Sequence, residues 1–326
     1  MKIAVIFTGG TIGSRCKDEW IGVDPATRYV LLKPFENKGF DFIPFAPYTI
    51  LSENLSATEL NLLQDAVSTA LADRPDGIIV THGTDTLQYT AAALAYAFAD
   101  TSVPIVLVSA AYPLEDQRTN GFANFEGALA LMQSRPGGGV FVSYKNEREK
   151  EVTIHSATRL LQHAETSADV YSIDNAVFAA YKDGLLSRGS LPLPRGKGMG
   201  KIHYADLANV LVVESAPGNP YDYDLTQVRA ILLKPYHSAT LATENENLGK
   251  LCKEARDREI PVFLCSVRTG AAYESSKLFG SLGICIAPFS TFVALYMKVW
   301  AAISQNKKIP TAVQTQLADE WAAGKE

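Results

Sequence analysis

Two short segments place hydroxyl groups beside glycines, where a nucleophile would be exposed. Residues 8–11 read Thr-Gly-Gly-Thr, and residues 81–86 read Thr-His-Gly-Thr-Asp-Thr. Glycine lets backbone amide groups approach a substrate closely, and a hydroxyl next to it stands clear of packed side chains. In the second segment Asp85 follows Thr84, so a carboxylate lies beside a hydroxyl that it can orient or deprotonate. Together the two segments supply a nucleophile and a partner for it.

Each segment alone has a simpler interpretation, since threonine and glycine after a strand commonly form turns and helix caps. A dinucleotide-binding loop is disfavoured, because Gly9 and Gly10 are followed by Gly13 without the G-x-G-x-x-G spacing. Ligands of open parallel sheets bind beyond the carboxyl ends of the strands. We therefore expect both segments, and residues 109–113 after a third apolar run, to line one site.

The apolar pattern predicts an α/β fold. Short apolar runs alternate with helix-like stretches, which is typical of βαβ units in a parallel sheet. Ser56 and Glu59 have the spacing of a capping box and predict the start of the first long helix. The expected strands lie at residues 3–7, 77–80, 103–108 and 140–143, and the expected helices lie at residues 60–71, 86–99 and 122–132.

The length of 326 residues favours two domains, because single cores stop growing at about 250–300 residues. Residues 184–200 are rich in glycine, proline, serine and lysine, so we expect no regular structure there. We predict a larger N-terminal α/β domain over residues 1–183, with a mostly parallel sheet and flanking helices. A linker over residues 184–205 and a smaller C-terminal α/β domain over residues 206–326 follow. In the second domain, strands are expected at residues 210–213, 230–233, 261–265 and 284–286, and helices near residues 247–258 and 292–303, with Ser290 as an N-cap.

The composition excludes several classes of partner. The 30 basic and 35 acidic residues are mixed along the chain, so neither a nucleic acid nor a membrane surface is indicated. No apolar window reaches the roughly 18 residues of a membrane span, and residues 3–7 are too short for a secretory signal, so we expect a cytoplasmic protein. The four cysteines form no C-x-x-C pair, which argues against a zinc site. A small-molecule partner is expected, with no metal or cofactor.

The two hydroxyl-bearing segments resemble the two signatures of the bacterial-type L-asparaginase family, closer to its cytoplasmic type I form. Residues 8–12 and 81–86 match these signatures in their order and spacing. Residues 108–113, followed by residues 119–121 and Asn124, resemble the family's third loop and the helix after it. The likeness covers the whole chain, although the C-terminal half is similar only in layout.

The resemblance implies a mechanism in which Thr11 attacks the side-chain amide of asparagine to form an acyl-enzyme. Ammonia then leaves, and water releases aspartate. Thr84 and Asp85 match the second threonine and the aspartate of the family's active site, and Asp85 would also bind the substrate α-ammonium. The family also implies a homodimer or homotetramer. The further substrate-binding positions that it implies are Gly10, Ser52, Glu53, Gly83 and Ala110.

The chain departs from the family pattern where a lysine is expected to help activate the second threonine and the aspartate. Gln162 occupies that position. A glutamine can donate a hydrogen bond, but it has no ammonium group. Three nearby basic residues, His155, Arg159 and His163, could substitute for the lysine in space. We expect slower turnover, a histidine in the lysine's role, or a substrate other than asparagine.

Two further departures lie close to the expected pocket. Where the family carries a lid tyrosine, Trp20 stands at nearly the matching place and Tyr29 follows later; an indole can pack over a site but has no phenol to relay a proton. Residues 111–112 read Ala-Tyr where the family usually has Met-Arg, which would alter specificity.

Three functions are therefore compared. The first is hydrolysis of a small amide, with asparagine as the default and glutamine, a D-amino acid or an N-substituted derivative as variants. The second is an amino-acid binding or regulatory protein with weak or no turnover. The third is an amidotransferase subunit that feeds ammonia to a partner, which we expect least because no appended partner-binding domain is evident.

Overall fold

The computed structural model describes residues 1–17, 20–268 and 273–322, without the side chain of Arg28, and divides the chain into two compact units. The first unit comprises Met1–Ile202 with Leu317–Asp319, and the second comprises His203–Gln316 with the residues from Glu320 onward. Both units combine parallel strands with helices. The predicted α/β class, with a larger and a smaller sheet, is confirmed.

The first unit contains ten strands and four α-helices among its described residues. The strands are β1 (Lys2–Phe7), β2 (Ser14–Lys17), β3 (Trp20–Val23), β4 (Asp41–Phe45), β5 (Gly77–Thr81), β6 (Pro104–Val108), β7 (Gly139–Tyr144), β8 (Val152–Ser156), β9 (Ala179–Lys182) and β10 (Leu185–Arg188). The helices are α1 (Thr27–Leu32), α2 (Ala57–Ala72), α3 (Leu87–Ala97) and α4 (Gly121–Gln133).

Eight of these strands form one sheet in the order β10-β9-β8-β7-β6-β5-β1-β4. The strands from β4 to β7 pair in parallel, whereas β8, β9 and β10 continue the sheet antiparallel. Strands β5 and β6 are buried at every residue, as expected for strands covered on both faces. Their carboxyl ends lead into the segments that carry Thr84 and Ala110.

The Ser56–Glu59 capping box is present at the start of α2, as predicted, with the Ser56 amide donating to Glu59 Oε2 at 3.1 Å. Strand β4 was not predicted. It contains Pro44, which has no amide hydrogen for a ladder, and it lies at the edge of the sheet, where proline is tolerated.

The prediction that residues 184–200 hold no regular structure is wrong for the first part of that segment. Leu185–Arg188 forms β10, which pairs antiparallel with β9 at the edge of the large sheet. Gly184, with a φ of 82°, lies in the short turn between these strands. The glycine that suggested a linker is thus a hairpin turn residue.

The second unit contains a smaller parallel sheet in the order β11-β12-β13-β14. Its strands are β11 (Val210–Glu214), β12 (Ala230–Lys234), β13 (Val262–Leu264) and β14 (Ile284–Ile286), and its helices are α5 (Glu246–Asp257), α6 (Phe279–Leu282), α7 (Phe292–Ser304) and α8 (Ile309–Val313). None of the helices in the described part of the chain has the length and apolar character needed to cross a membrane.

The N-cap of α7 is Thr291, so the prediction of Ser290 is wrong by one residue. The Thr291 hydroxyl accepts a hydrogen bond from the Ala294 amide at 3.2 Å, whereas the Ser290 hydroxyl donates to the Pro288 carbonyl. Both residues are of types that cap helices, and only the backbone geometry separates them.

Candidate active site

Three loops meet where the adjacent strands β4, β1 and β5 end. The backbone of Gly10, after β1, packs against the backbone of Gly83, after β5: a Cβ on Gly10 would lie 2.2 Å from the Gly83 nitrogen. A Cβ on Gly83 would lie 2.3 Å from Ser52 Oγ. Gly10 also has a φ of 71°, so a side chain there would be strained as well as blocked. Both glycines are required for this approach, which brings the two signature segments together.

Thr11 opens a short 3-10 helix, Thr11–Gly13, that follows Gly10 directly. The Gly10 carbonyl is held by two donors, the Gly13 amide at 2.9 Å and the Ser14 hydroxyl at 2.7 Å. Thr11 itself is half-buried, and its hydroxyl forms no hydrogen bond with the described residues. The loop is thus held in place around a hydroxyl that has no hydrogen-bond partner among the described residues.

Thr84 and Asp85 stand on the neighbouring loop. Asp85 is exposed, and its Oδ2 accepts a long hydrogen bond of 3.4 Å from the buried Ser52 hydroxyl. Thr86 fixes the Ser52 segment by donating to the Ser52 carbonyl at 2.9 Å. Glu53 is exposed beside Ser52. The structure therefore brings Gly10, Gly83, Ser52 and Asp85 into one cluster.

His82 is a positioning residue whose role the sequence did not reveal. Its buried ring contacts the Gly83 carbonyl through Nδ1 at 2.8 Å and the Thr90 hydroxyl through Nε2 at 2.9 Å. A carbonyl only accepts, so Nδ1 carries the proton and Nε2 accepts from Thr90. Burial lowers the pKa of His82 from 6.5 to about 4. The neutral ring thus holds the turn that presents Thr84.

Ala110 is fully buried at the end of β6, between two residues that asparagines hold in place. Asn124 Nδ2 donates to the Ser109 carbonyl at 2.8 Å, and Asn120 Oδ1 accepts from the Ala111 amide at 2.8 Å. Both asparagines belong to the segment that resembled the helix after the third loop. They leave the Ala110 peptide with a fixed orientation.

Gln162, which matches the expected lysine in sequence, and its neighbour His163 have different surroundings in the structure. Gln162 is exposed and forms no hydrogen bond with Thr84, Asp85 or any other described residue. The next residue, His163, contacts the Thr84 carbonyl through Nε2 at 2.9 Å and the Asp169 carbonyl through Nδ1 at 2.9 Å. Sequence spacing alone could not separate these neighbours, because the segment has no regular periodicity.

His155 and Arg159, the other basic residues considered for the lysine's role, have different partners. His155 is buried and contacts Ser172 Oγ at 2.8 Å. Arg159 is buried and pairs with Asp319, its Nε donating to the Asp319 carbonyl at 2.8 Å. His163 is therefore the basic side chain that the structure places against Thr84.

The residues considered for a lid lie near the start of the chain. Strands β2 and β3 form an antiparallel hairpin in which Lys17 faces Trp20, and the Trp20 side chain is 80% exposed. Tyr29, on α1, is 72% exposed. Arg15 anchors the hairpin, lying 3.3 Å from Asp24 and 3.0 Å from Glu115 on the third loop. Residues 18 and 19 lie outside the described residues.

A cavity of about 500 Å³ has Ala111, Asn120 and Asp169 among its lining residues. Ala111 follows the buried Ala110, and the Asp169 carbonyl contacts His163. The predicted catalytic and substrate-binding residues are not among those that line this cavity. No group of three or more metal-ligating side chains suited to a metal ion occurs among the residues that the structure describes.

The chain matches known proteins over most of its length. A family model described as "Asparaginase, N-terminal" matches residues 2–184. L-asparaginase 1 of Escherichia coli (strain K12) is 25% identical over 274 residues, which cover 80% of this chain and 78% of that protein. A glutamyl-tRNA(Gln) amidotransferase subunit from Pyrobaculum aerophilum is 32% identical over 185 residues, which cover 55% of this chain and 44% of that protein. The chain thus spans less than half the length of this archaeal relative.

The fold agrees with these matches. The thermostable L-asparaginase from Thermococcus kodakarensis superposes with a TM-score of 0.83 over 99% of this chain and 100% of that chain, at 22% identity. The protein is therefore an α/β protein of the fold seen in L-asparaginases. Because the family model covers more than half of the chain, the chain belongs to the asparaginase family.

Proposed function

We propose that the protein hydrolyses the side-chain amide of asparagine or a related small amide, with Thr11 as the nucleophile. The contact between Gly10 and Gly83 carries this proposal, because it brings the Thr11 loop against the loop of Thr84 and Asp85. Hydroxyl attack on the amide carbon forms an acyl-enzyme and releases ammonia. Water then attacks the ester and releases aspartate, regenerating the hydroxyl.

Thr84 and Asp85 are proposed to take the Thr11 proton and pass it to the leaving nitrogen, since an aliphatic hydroxyl is a weak nucleophile without a neighbouring base. Backbone amides at the two glycine turns would stabilise the oxyanion, at about 3–4 kcal/mol for each well-placed donor. The close backbone contact between Gly10 and Gly83 supports this assignment, because it brings the two turns together.

His163 is proposed to fill the role of the lysine that Gln162 replaces. Its two ring nitrogens face two carbonyl oxygens, those of Thr84 and Asp169, and carbonyls only accept. These two contacts would hold the imidazole beside the loop of Thr84 and Asp85.

The substrate is proposed to bind through Ser52, Glu53 and Asp85, with the Ala110 peptide facing the reacting amide. Trp20 is proposed to pack over the bound substrate, and Tyr29 is the alternative lid residue. The cavity next to Ala111 leaves room for a substituent on the amide nitrogen. N-substituted asparagines are therefore included as substrates. A cytoplasmic location and a homodimer or homotetramer complete the proposal, resting on the family likeness.

Two other functions are kept as alternatives. The identity of 32% with an amidotransferase subunit favours ammonia supply to a partner enzyme as the second candidate. The absence of an ammonium at position 162 favours an amino-acid binding protein with weak or no turnover as the third. Free ammonia released by the chain alone separates the first function from the third.

The test measures ammonia release from L- and D-asparagine and glutamine, and release of the free aspartate or glutamate from their N-substituted derivatives, whose amide nitrogen leaves as an amine. Thr11→Ala is the blank, and Thr69→Ala, which removes an exposed threonine hydroxyl on α2, is the matched control. We expect release by the wild type and by Thr69→Ala but not by Thr11→Ala. Calorimetric binding of aspartate with no ammonia release from any amide would instead identify a binding protein.

A further inference from the structure

A second cavity lies in the C-terminal unit, and none of its lining residues is assigned to amide hydrolysis. Its volume is about 610 Å³, and it opens at the amino ends of β12, β13 and β14. This size falls within the range of about 300–1,000 Å³ typical of small-molecule sites. Ligands of parallel sheets usually bind at the opposite edge, so the ordinary function of the fold does not explain the cavity.

The wall of the cavity is strongly basic. Arg229, Arg256, Lys307 and Lys308 line it, with Glu259 as the single acidic residue among the lining side chains. The chain as a whole carries a formal charge of −5, so this concentration of positive charge runs against the average. Concave surfaces lined by one sign of charge concentrate ligands of the opposite sign.

Three of these cations have no partner among the described residues. The side chains of Arg229, Lys307 and Lys308 form no hydrogen bond or ion pair with that part of the chain. The Arg256 guanidinium donates to the Ser281 carbonyl at 2.8 Å, which leaves its other nitrogens available. Of the nearby acids, Glu254 pairs with Arg258, and Glu259 remains in the lining of the cavity.

Favourable interaction of cations with the negative ends of helix dipoles explains only part of this basic cluster. Cations near helix C-termini are favourable, and Arg256 in the last turn of α5 fits that pattern. Lys308, however, is the N-cap of α8, where a positive charge is unfavourable. Arg229 precedes a strand and borders no helix end. Two of the four cations thus remain unexplained by secondary structure.

We propose that this cavity binds a small polyanion that carries two or more linked phosphates. Several separate cations suit several charged oxygens, with the guanidinium of Arg229 able to bind two of them at once. The lining also contains apolar residues, among them Ile260, Pro261 and Ile309. Apolar surface beside the charges suits a ring attached to the phosphates, so a nucleotide and free pyrophosphate are the two sources of the same group.

The experiment is calorimetric titration of the full-length protein with inorganic pyrophosphate, ATP and inorganic phosphate. The test variant is Lys307→Glu/Lys308→Glu, and a second variant is Arg229→Gln. The matched control is Lys250→Glu/Lys277→Glu, which makes the same charge change at exposed lysines of the same unit outside the cavity. Thermal unfolding of each variant shows whether the fold is retained.

We expect pyrophosphate to bind the wild type more tightly than phosphate and to weaken as ionic strength rises. The Kd should increase about tenfold or more in both cavity variants and less than about twofold in the control, since removing a charge-assisted hydrogen bond weakens binding by about one order of magnitude. Tighter binding of ATP than of pyrophosphate would identify the nucleotide as the source. Equal weakening in the control, or no binding of either pyrophosphate or ATP to the wild type, overturns the proposal.

Discussion

The Nε2 atom of His163 lies 2.9 Å from the carbonyl oxygen of Thr84. This contact puts an imidazole against the turn of Thr84, while Gln162 is exposed to solvent. The family motif aligns its lysine with position 162. The contact of His163 with Thr84, by contrast, depends on the path of the chain after β8. The basic side chain that we propose for the lysine's role is thus visible only in three dimensions.

Loss of His163 is expected to slow hydrolysis by about 100-fold, because removal of a well-placed electrostatic group from such a site costs a similar factor. The change is His163→Leu, with His203→Leu as the control, since His203 is exposed and lies in the other unit. Steady-state ammonia release gives kcat and KM. Adding Gln162→Lys to His163→Leu should restore part of kcat. Full activity in His163→Leu would remove the ring from the mechanism.

The contact between the glycine loops is expected to be essential. Gly10→Ala would set a methyl group against the Gly83 backbone, so we expect activity to fall by about 100-fold or more. Gly39→Ala is the matched control, because Gly39 also has a positive φ, of 82°, but open space around it. Gly39→Ala should lower the free energy of unfolding by about 1 kcal/mol and leave activity nearly unchanged. Similar rates in both variants would show that the approach of the two loops does not matter.

Buried His82 is expected to make stability fall in acid. Its pKa in the folded protein is about 4, below the value of 6.5 expected when unfolded, so the unfolded state binds the proton more readily between these values. The contribution of neutral His82 to the free energy of unfolding is therefore fully present above pH 6.5. It decreases by about 3 kcal/mol as the pH falls toward 4.

Urea unfolding of the wild type and of His82→Asn across this pH range checks the effect of His82. Asparagine retains a donor for the Gly83 carbonyl but does not titrate. The difference between the two free energies of unfolding should shrink as pH falls. Parallel curves would show that His82 is not buried in its neutral form.

A buried ion pair in the C-terminal unit is expected to make a large difference to stability. Lys298 Nζ lies 2.5 Å from Glu320 Oε1, and both side chains are only 2% exposed. Burial lowers the pKa of Lys298, and the Glu320 charge opposes that shift. Lys298→Met leaves a buried carboxylate without its cation, which should cost about 3–5 kcal/mol.

The double variant Lys298→Met/Glu320→Leu should recover much of the stability that Lys298→Met removes, since no buried charge remains. Urea denaturation of both variants measures the two effects. A double variant less stable than Lys298→Met would show that the Glu320 carboxylate is held by other groups.

Local signals made much of the fold predictable. Ser56 and Glu59 cap a helix through neighbours three residues apart, and the apolar runs at β5 and β6 are long enough to identify. Strand β4 was not predicted because proline usually interrupts a strand, although Pro44 is tolerated at the edge of the sheet. Strand β10 was not predicted because it lies in a segment whose composition is typical of loops. It pairs with β9 across a turn that contains glycine.

The site was predictable to the extent that it lies in contiguous motifs. Thr84 and Asp85 are adjacent in sequence, and glycine at position 83 signals a close approach. The tautomer of His82 depends on side-chain orientation. The ion pair of Arg15 with Glu115 and the contact of His163 with Thr84 join residues that are distant in sequence. No spacing rule reports such contacts.

The nucleophile is tested most directly by intact-mass analysis after incubation with an electrophilic asparagine analogue. One covalent adduct should form on the wild type, map to the peptide that contains Thr11, and be absent from Thr11→Ala. The Thr69→Ala control should be labelled like the wild type. An adduct that persists in Thr11→Ala, or that maps to another residue, would contradict the assignment of Thr11.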